Sequence, residues 1–402
     1  MSKDPQTGAP ERGARELRPG TLLVTGGRNP RANHGFVNPP VYHASTVLYP
    51  SAADFIAHRG RYQYGRRGTP TSEALEEAVR GVEGPRCAGV ALLPSGLAAI
   101  TTALLAVVRA GDHVLMTDNV YRPARNFADT VLARLGIETT FFDPLAGAEL
   151  AGLFRPNTRA LYLEAPGSLS FEMQDVPALA ALARARSAKV LFDNTWASPY
   201  FFRALDKGVD LSIQAGTKYL GGHSDVMIGT VSASEAAWPA LRDTVRGLGQ
   251  CVGPDDIYLT QRGIRTLGVR LDRHFRSGLQ VAEWLGARPE VARVLHPALP
   301  EHPGHAIWKR DFTGASGLFS IVLRPVPEAA FHAFLNSLEL FGMGASWGGY
   351  ESLAIPFDCA PFRTATAWNP GGPAVRFHIG LEDVDDLTAD LDRGFAAMRA
   401  AA

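Results

Sequence analysis

Cysteine is scarce in this chain. Its 402 residues include three, Cys87, Cys251 and Cys359. They are odd in number, far apart, and form no C-x-x-C. That argues against a disulfide framework and a structural zinc site, so no metal is expected and a cytoplasmic setting is. Net charge is missing too: 40 basic residues balance 40 acidic ones. No global field draws in nucleic acid or an anionic membrane, and neither is expected as a partner. Lysine is rare. Only Lys3, Lys189, Lys207, Lys218 and Lys309 occur, so any lysine chemistry has few candidates.

A long apolar run is also lacking. Residues 87–108 carry no charge, but Pro94 divides them. A buried strand, GVALL, and a buried helix, GLAAITTALLAVV, fit this stretch better than a membrane span. The first twenty residues are polar and rich in Pro and Gly, without the apolar core of a signal peptide, and are expected to be a frayed start. There is no G-x-x-x-x-G-K-[ST] loop and no H-E-x-x-H.

What is present is alternation. Between about 88 and 233, short β-rich runs alternate with helical stretches. The strand candidates are 89–93, 113–117, 139–143, 160–165, 189–193, 210–214 and 227–232. Several are apolar on both faces, as buried parallel strands are. The pattern predicts an α/β fold with an open, mostly parallel sheet covered by helices. After 255 the pattern changes to a long helical run (255–287), strands at 318–324 and 374–380, a helix near 327–338 and an amphipathic tail helix. That reads as a smaller α+β domain. The expected organisation is an N-terminal arm (1–64), a large domain (65–263) and a C-terminal domain (264–402).

In open α/β sheets, ligands bind beyond the carboxyl ends of the strands. The residues that follow the strands should therefore converge on one rim. They include Ser95-Gly96-Leu97 opening a helix, Tyr121, Asp193 and Thr217-Lys218. A helix N-terminus after a glycine turn can hold a phosphate. Each residue alone has an ordinary reading: a turn, a half-buried aromatic, a cap, a solvated lysine. Together they are the parts of a pyridoxal phosphate site. The arginine-rich run 59–68, with its interleaved tyrosines, suits a phosphate or carboxylate clamp better than RNA.

With these residues in view, the chain resembles the Cys/Met-metabolism family of pyridoxal phosphate enzymes. The resemblance runs from about residue 20 to the C-terminus. It rests on YGRRGTPT (64–71), PSGLAA (94–99), DHVLMTDNVY (112–121), EAPGS (164–168), DNTWASP (193–199), SIQAGTKYLGGHSD (212–225), RGIRTLGVRL (262–271), WKRDFTGASGLFS (308–320), SWGGYESL (346–353) and RFHIGLEDVDDL (376–387). The resemblance implies the type I transferase fold of that family and a carbon–sulfur lyase acting on an amino acid. It implies that Lys218 carries the cofactor, Asp193 pairs with the pyridinium and Tyr121 stacks on the ring. Gly96, Leu97 and Thr217 would hold the phosphate. Tyr64 and Arg66 would reach the phosphate of a neighbouring subunit, within a homotetramer whose sites are shared in each dimer. Arg376, with Ser346 and Trp347, would bind the substrate α-carboxylate. Lys218 would also be the catalytic base, and Lys218 or Tyr121 would protonate the leaving sulfur. Branch markers favour β-elimination, with γ-elimination or γ-replacement as the alternative: Trp347 stands where γ-enzymes usually have leucine, and Gly167-Ser168 where they often have Thr-Asn or Ser-Asn. Ala345 and Asn126 depart from the similar β-lyases, which tend to have tyrosine and an acidic residue there.

Overall fold

The structure, a computed structural model, describes residues 17–402. Seven strands form the larger sheet: β1 (Gly89–Leu93), β2 (His113–Thr117), β3 (Glu138–Phe142), β4 (Thr158–Glu164), β5 (Lys189–Asp193), β6 (Leu211–Gln214) and β7 (Gly229–Ala233). Their order is β1-β7-β6-β5-β4-β2-β3. Strands β6, β5, β4, β2 and β3 are parallel neighbours; β7 runs antiparallel to both β1 and β6. The sheet is therefore mostly parallel, and its parallel strands end on one edge.

Both faces are covered, which explains the near-continuous apolar strands. Along β4 the side chains alternate: Leu161 and Leu163 enter one core, Ala160 and Tyr162 the other. The uncharged stretch 87–108 resolves into β1 and the Gly96–Leu105 helix. No helix among the described residues is long and apolar enough to cross a membrane.

A second, antiparallel sheet has the order β10-β11-β9-β8, from β8 (Val291–Leu295), β9 (Leu318–Leu323), β10 (Leu353–Phe357) and β11 (Ala374–His378). It has its own core of Phe319, Ile321, Val375 and Phe377 under the Glu328–Asn336 and Val384–Ala400 helices. The long helical run is two helices, Pro254–Ile264 and Leu267–Gly286, broken at Arg265-Thr266. Gly263 explains the placement. A Cβ there would lie 2.2 Å from the Gly221 carbonyl oxygen, so only glycine lets the helix rest on the turn after Lys218. Arg270 then donates from Nη2 to the carbonyls of Tyr219 and Gly263 at 2.9 Å each, pinning that turn.

Candidate active site

The rim is built by strand register. Glu164 and Asp193, the last residues of β4 and β5, are paired neighbours. Asp193 Oδ1 accepts from the Thr195 N–H at 3.0 Å and its hydroxyl at 2.6 Å; Oδ2 takes neither bond. Burial raises the Asp193 carboxyl, while Thr195 and Lys218 pull it down. Glu164 Oε2 accepts from the Tyr121 N–H at 2.8 Å, fixing the start of the turn that carries the ring. Burial and the charge of Asp193 hold the Glu164 carboxyl well above its usual range. Two enclosed carboxyls side by side cannot both ionise cheaply, and the better-bonded Asp193 keeps the charge.

Lys218 lies in the turn after β6. Its Nζ donates to Ser346 Oγ at 2.6 Å and sits 5.4 Å from the Trp347 ring centroid. Burial and the nearby Arg376 lower its amine to about 8, with Asp193 opposing them. Arg376 is buried on β11; its Nη2 donates to the carbonyls of Ser346 at 3.0 Å and Ala345 at 3.3 Å, and its Nε is left without a partner. Burial brings its guanidinium down to about 10. Residues 344–348 spell G-x-S-x-G, but Ser346 lies in an irregular loop with a lysine at its hydroxyl. That is not the strand-to-helix elbow of a serine hydrolase.

Gly96 opens its helix against the same turn. A Cβ there would come 2.5 Å from the Ala215 Cβ. Ser95 caps the helix through the Ala98 N–H at 3.0 Å. The Gly96 and Leu97 amides precede any intrahelical acceptor and can bind an anion. Thr217 also supports the turn itself. Its hydroxyl donates to the Ile228 carbonyl at 3.1 Å and accepts the Ile228 N–H at 3.0 Å, so it first serves the backbone of its own turn. Tyr121 stands 44% exposed over the rim. Burial, Asp193 and Glu164 raise its phenol, so it keeps its proton near neutrality.

Tyr64 and Arg66 form a separate group. Arg66 lies 6.0 Å from the Tyr64 ring centroid and donates weakly to the Arg246 carbonyl, at 3.4 Å. Arg66 lines a cavity of about 230 Å³ with Arg242 and Arg246, a cavity that Lys218 does not line. The other arginines of the run are engaged locally: Arg59 with Asp54, Arg61 with Glu73, Arg67 with Gln63. Asn126 is exposed, and its carbonyl accepts from Thr130. Three residues at the rim went unread in the sequence: Glu164, Gly348 and His378. Glu164 ends a strand, the same signal that singled out Asp193.

The amine has a consequence for stability. The folded pKa of Lys218 lies near 8, below its ordinary 10.5. Between those values the unfolded chain binds more protons, so stability rises with pH. Cofactor-free wild type should gain stability relative to Lys218→Met as pH goes from 8 to 10.5. Paired denaturant titrations check this; parallel curves would show that the amine is not depressed.

A helix N-terminus, a buried carboxylate and a depressed lysine at one strand edge fit pyridoxal phosphate: the glycine gap suits its phosphate, and Asp193 Oδ2 its ring nitrogen. The fold and site thus define a class, the pyridoxal-phosphate-dependent enzymes. Residues 20–396 match the family model described as Cys/Met metabolism PLP-dependent enzyme, and the chain belongs to that family. It is 48% identical to cystathionine beta-lyase MetC of Escherichia coli over 94% of this chain and 98% of the relative. It is 47% identical to cystathionine beta-lyase of Salmonella typhimurium at the same coverage. The crystal structure of cystathionine gamma-lyase from Lactobacillus plantarum, complexed with L-serine, superposes with a TM-score of 0.87 at 30% identity, covering 95% of this chain and 100% of that one.

Proposed function

We propose that the chain is a cystathionine β-lyase, converting L-cystathionine and water to L-homocysteine, pyruvate and ammonia. One observation carries the lyase reading: Lys218 Nζ meets Ser346 Oγ at 2.6 Å, in the loop whose carbonyls Arg376 holds. A base and a carboxylate clamp thus sit within one residue of each other. Identity favours the β branch, at 48% to a β-lyase against 36% to a γ-lyase. Pyridoxal phosphate, when bound, supplies an electron sink that stabilises negative charge at the substrate Cα. Asp193 keeps the ring nitrogen protonated, and Tyr121 covers the ring. Gly96 and Leu97 bind the phosphate through their amides, with Thr217 beside them. Arg376, with Ser346 and Trp347, orients the substrate carboxylate. Lys218, neutral above about pH 8, takes the Cα proton at Nζ. Tyr121, which holds its proton, donates it to the leaving sulfur. Homocysteine is one methyl group short of methionine, which supports a role in methionine biosynthesis, and the few, widely spaced cysteines support a cytoplasmic setting. The test is product identity by mass spectrometry. Holoenzyme with L-cystathionine should release pyruvate and homocysteine; 2-oxobutyrate and cysteine, or no keto acid, would overturn the reading.

We further propose that Tyr64 and Arg66 complete the phosphate site of a neighbouring copy, in a dimer that pairs into a tetramer. Their distance from any role in their own rim, and the planar fork of Arg66, support this. An inactive Lys218→Ala chain mixed with an inactive Arg66→Ala chain should regain activity on subunit exchange, since mixed dimers carry one intact site. Failure of mixing to restore turnover, with exchange verified, would sink the shared site.

A further inference from the structure

Strands β10 and β11 are paired antiparallel neighbours. A loop of about two to five residues suffices to join such strands, yet residues 358–373 stand between them. The extra chain crosses to the large sheet. There it meets Asp118, which directly follows β2 and shortly precedes Tyr121.

Asp118 is fully buried, and its carboxylate gathers the backbone of the crossing segment. Oδ1 accepts the Thr364 N–H at 3.1 Å. Oδ2 accepts the Ala365 N–H at 3.1 Å, the Thr366 N–H at 2.9 Å and the Thr366 hydroxyl at 2.9 Å. Successive amides that converge on one carboxylate make an anion nest, here filled from within the chain. Arg125, also buried, pairs with Oδ1 and lays its guanidinium 3.5 Å from the Phe141 ring centroid. Burial would raise the Asp118 carboxyl, but Thr364, Thr366 and Arg125 together bring it below its usual value. Two further contacts flank this anchor. Arg363 Nη2 donates to the Glu172 carboxylate oxygens at 3.0 and 3.2 Å, and Glu172 Oε2 also accepts from Asn119 Nδ2 at 3.2 Å. The Arg122 guanidinium lies 5.4 Å from the Phe362 ring centroid. The segment therefore grips residues 118 and 122 directly, and 119 through Glu172, on both sides of Tyr121. Its far end runs into β11, which carries Arg376. The Arg376 guanidinium opposes the burial that raises the Tyr121 phenol, so the two side chains lie within electrostatic reach of each other.

We propose that residues 358–373 are a strap from the small sheet to the large one, and that Asp118, its anchor, is a positioning residue that holds the Tyr121 turn where the phenol reaches the leaving sulfur. When the Cβ–S bond breaks, its electron pair stays on sulfur, which takes the Tyr121 proton. The phenolate, partly exposed, recovers a proton from water. Arg376 fixes the substrate by its carboxylate, and the strap fixes the acid relative to Arg376. Asp118 touches no reacting atom. This role rests on the lyase reading, with Tyr121 as the acid; the docking of the strap does not.

Two substrates test the role. The chloride of β-chloro-L-alanine leaves without a proton, whereas the sulfur of L-cystathionine needs one; both substrates need Lys218 and Arg376. The ratio of kcat/KM for L-cystathionine to that for β-chloro-L-alanine should fall about tenfold or more in Asp118→Asn holoenzyme. It should fall about threefold in Thr366→Val, which removes one hydroxyl bond and no charge. Tyr121→Phe sets the reference, with a fall at least as large as that of Asp118→Asn. A fall in Tyr121→Phe with an unchanged ratio in the folded strap variants would overturn the positioning role alone. An unchanged ratio in all three would overturn Tyr121 as the acid and the positioning role with it. Hydrogen exchange tests the docking without turnover. In wild-type holoenzyme the amides of residues 364–366 should exchange about tenfold more slowly than in Asp118→Asn, and residues 119–122 should exchange faster in the variant. Equal exchange at 364–366 would overturn the strap whatever the enzyme's substrate. Should Asp118→Asn fail to fold, Thr366→Val carries both measurements.

Discussion

Lys218→Ala is expected to cut turnover at least about a thousandfold, because it removes both the covalent anchor and the base. The remaining contacts are untouched. In the proposed site Gly96 and Leu97 would still offer amides to the phosphate, and Asp193 would still face the ring nitrogen. The variant should therefore bind pyridoxal phosphate without a covalent link. Borohydride treatment followed by peptide mass spectrometry separates the two effects. Wild type should retain the cofactor on the peptide carrying Lys218; the variant should retain none while still showing bound cofactor by equilibrium dialysis. Two of the other lysines are engaged elsewhere. Lys189 pairs with Asp210 at 2.9 Å and Lys207 with Asp311 at 3.1 Å, each committed to an ion pair. A variant within tenfold of wild-type kcat would remove Lys218 from the mechanism.

The fold was legible where a strand's own residues decide it. Strands β1 to β7 fall within one or two residues of their sequence expectations, because most of them are buried on both faces and carry apolar runs; the edge strand β3 is the more exposed and polar one. The small sheet was read only at its centre. Strands β9 and β11 were expected, while β8 and β10, its two edges, were not. Edge strands need less apolar sequence: β8 has exposed positions at Ala292 and Arg293, and β10 carries Pro356, which only an edge tolerates. Of the rim, the strand-end rule brought out Asp193, Tyr121 and Lys218. The supporting atoms were hidden because their partners are remote in sequence. Glu164 meets a backbone amide 43 positions away, and His378 one 30 away. Neither residue type signals an amide partner. The partners of Thr217 were hidden in the same way: its donor and acceptor, both on Ile228, lie just before β7, which folds back beside it.

Asp193→Asn is the second large effect. The rim makes room for one strong negative charge. Asp193 keeps it, through the two Thr195 bonds and the nearby lysine, while Glu164 is pushed toward its neutral form. An amide at 193 can still accept from Thr195, so the turn should hold. It cannot keep a ring nitrogen protonated, and a neutral pyridine is a weak electron sink. We expect kcat to fall about a hundredfold or more. Thermal stability should change little, because the variant removes an enclosed charge without opening a cavity. The spectroscopic expectation is separate from the rate: cofactor bound to Asp193→Asn should show a pH-dependent absorbance that wild type lacks, since the ring nitrogen then titrates. Glu164→Gln makes the contrast. If Glu164 is already neutral, its amide replacement should leave kcat within about threefold of wild type. A large loss at Glu164→Gln with little change at Asp193→Asn would reverse the assignment of charge between the two carboxyls.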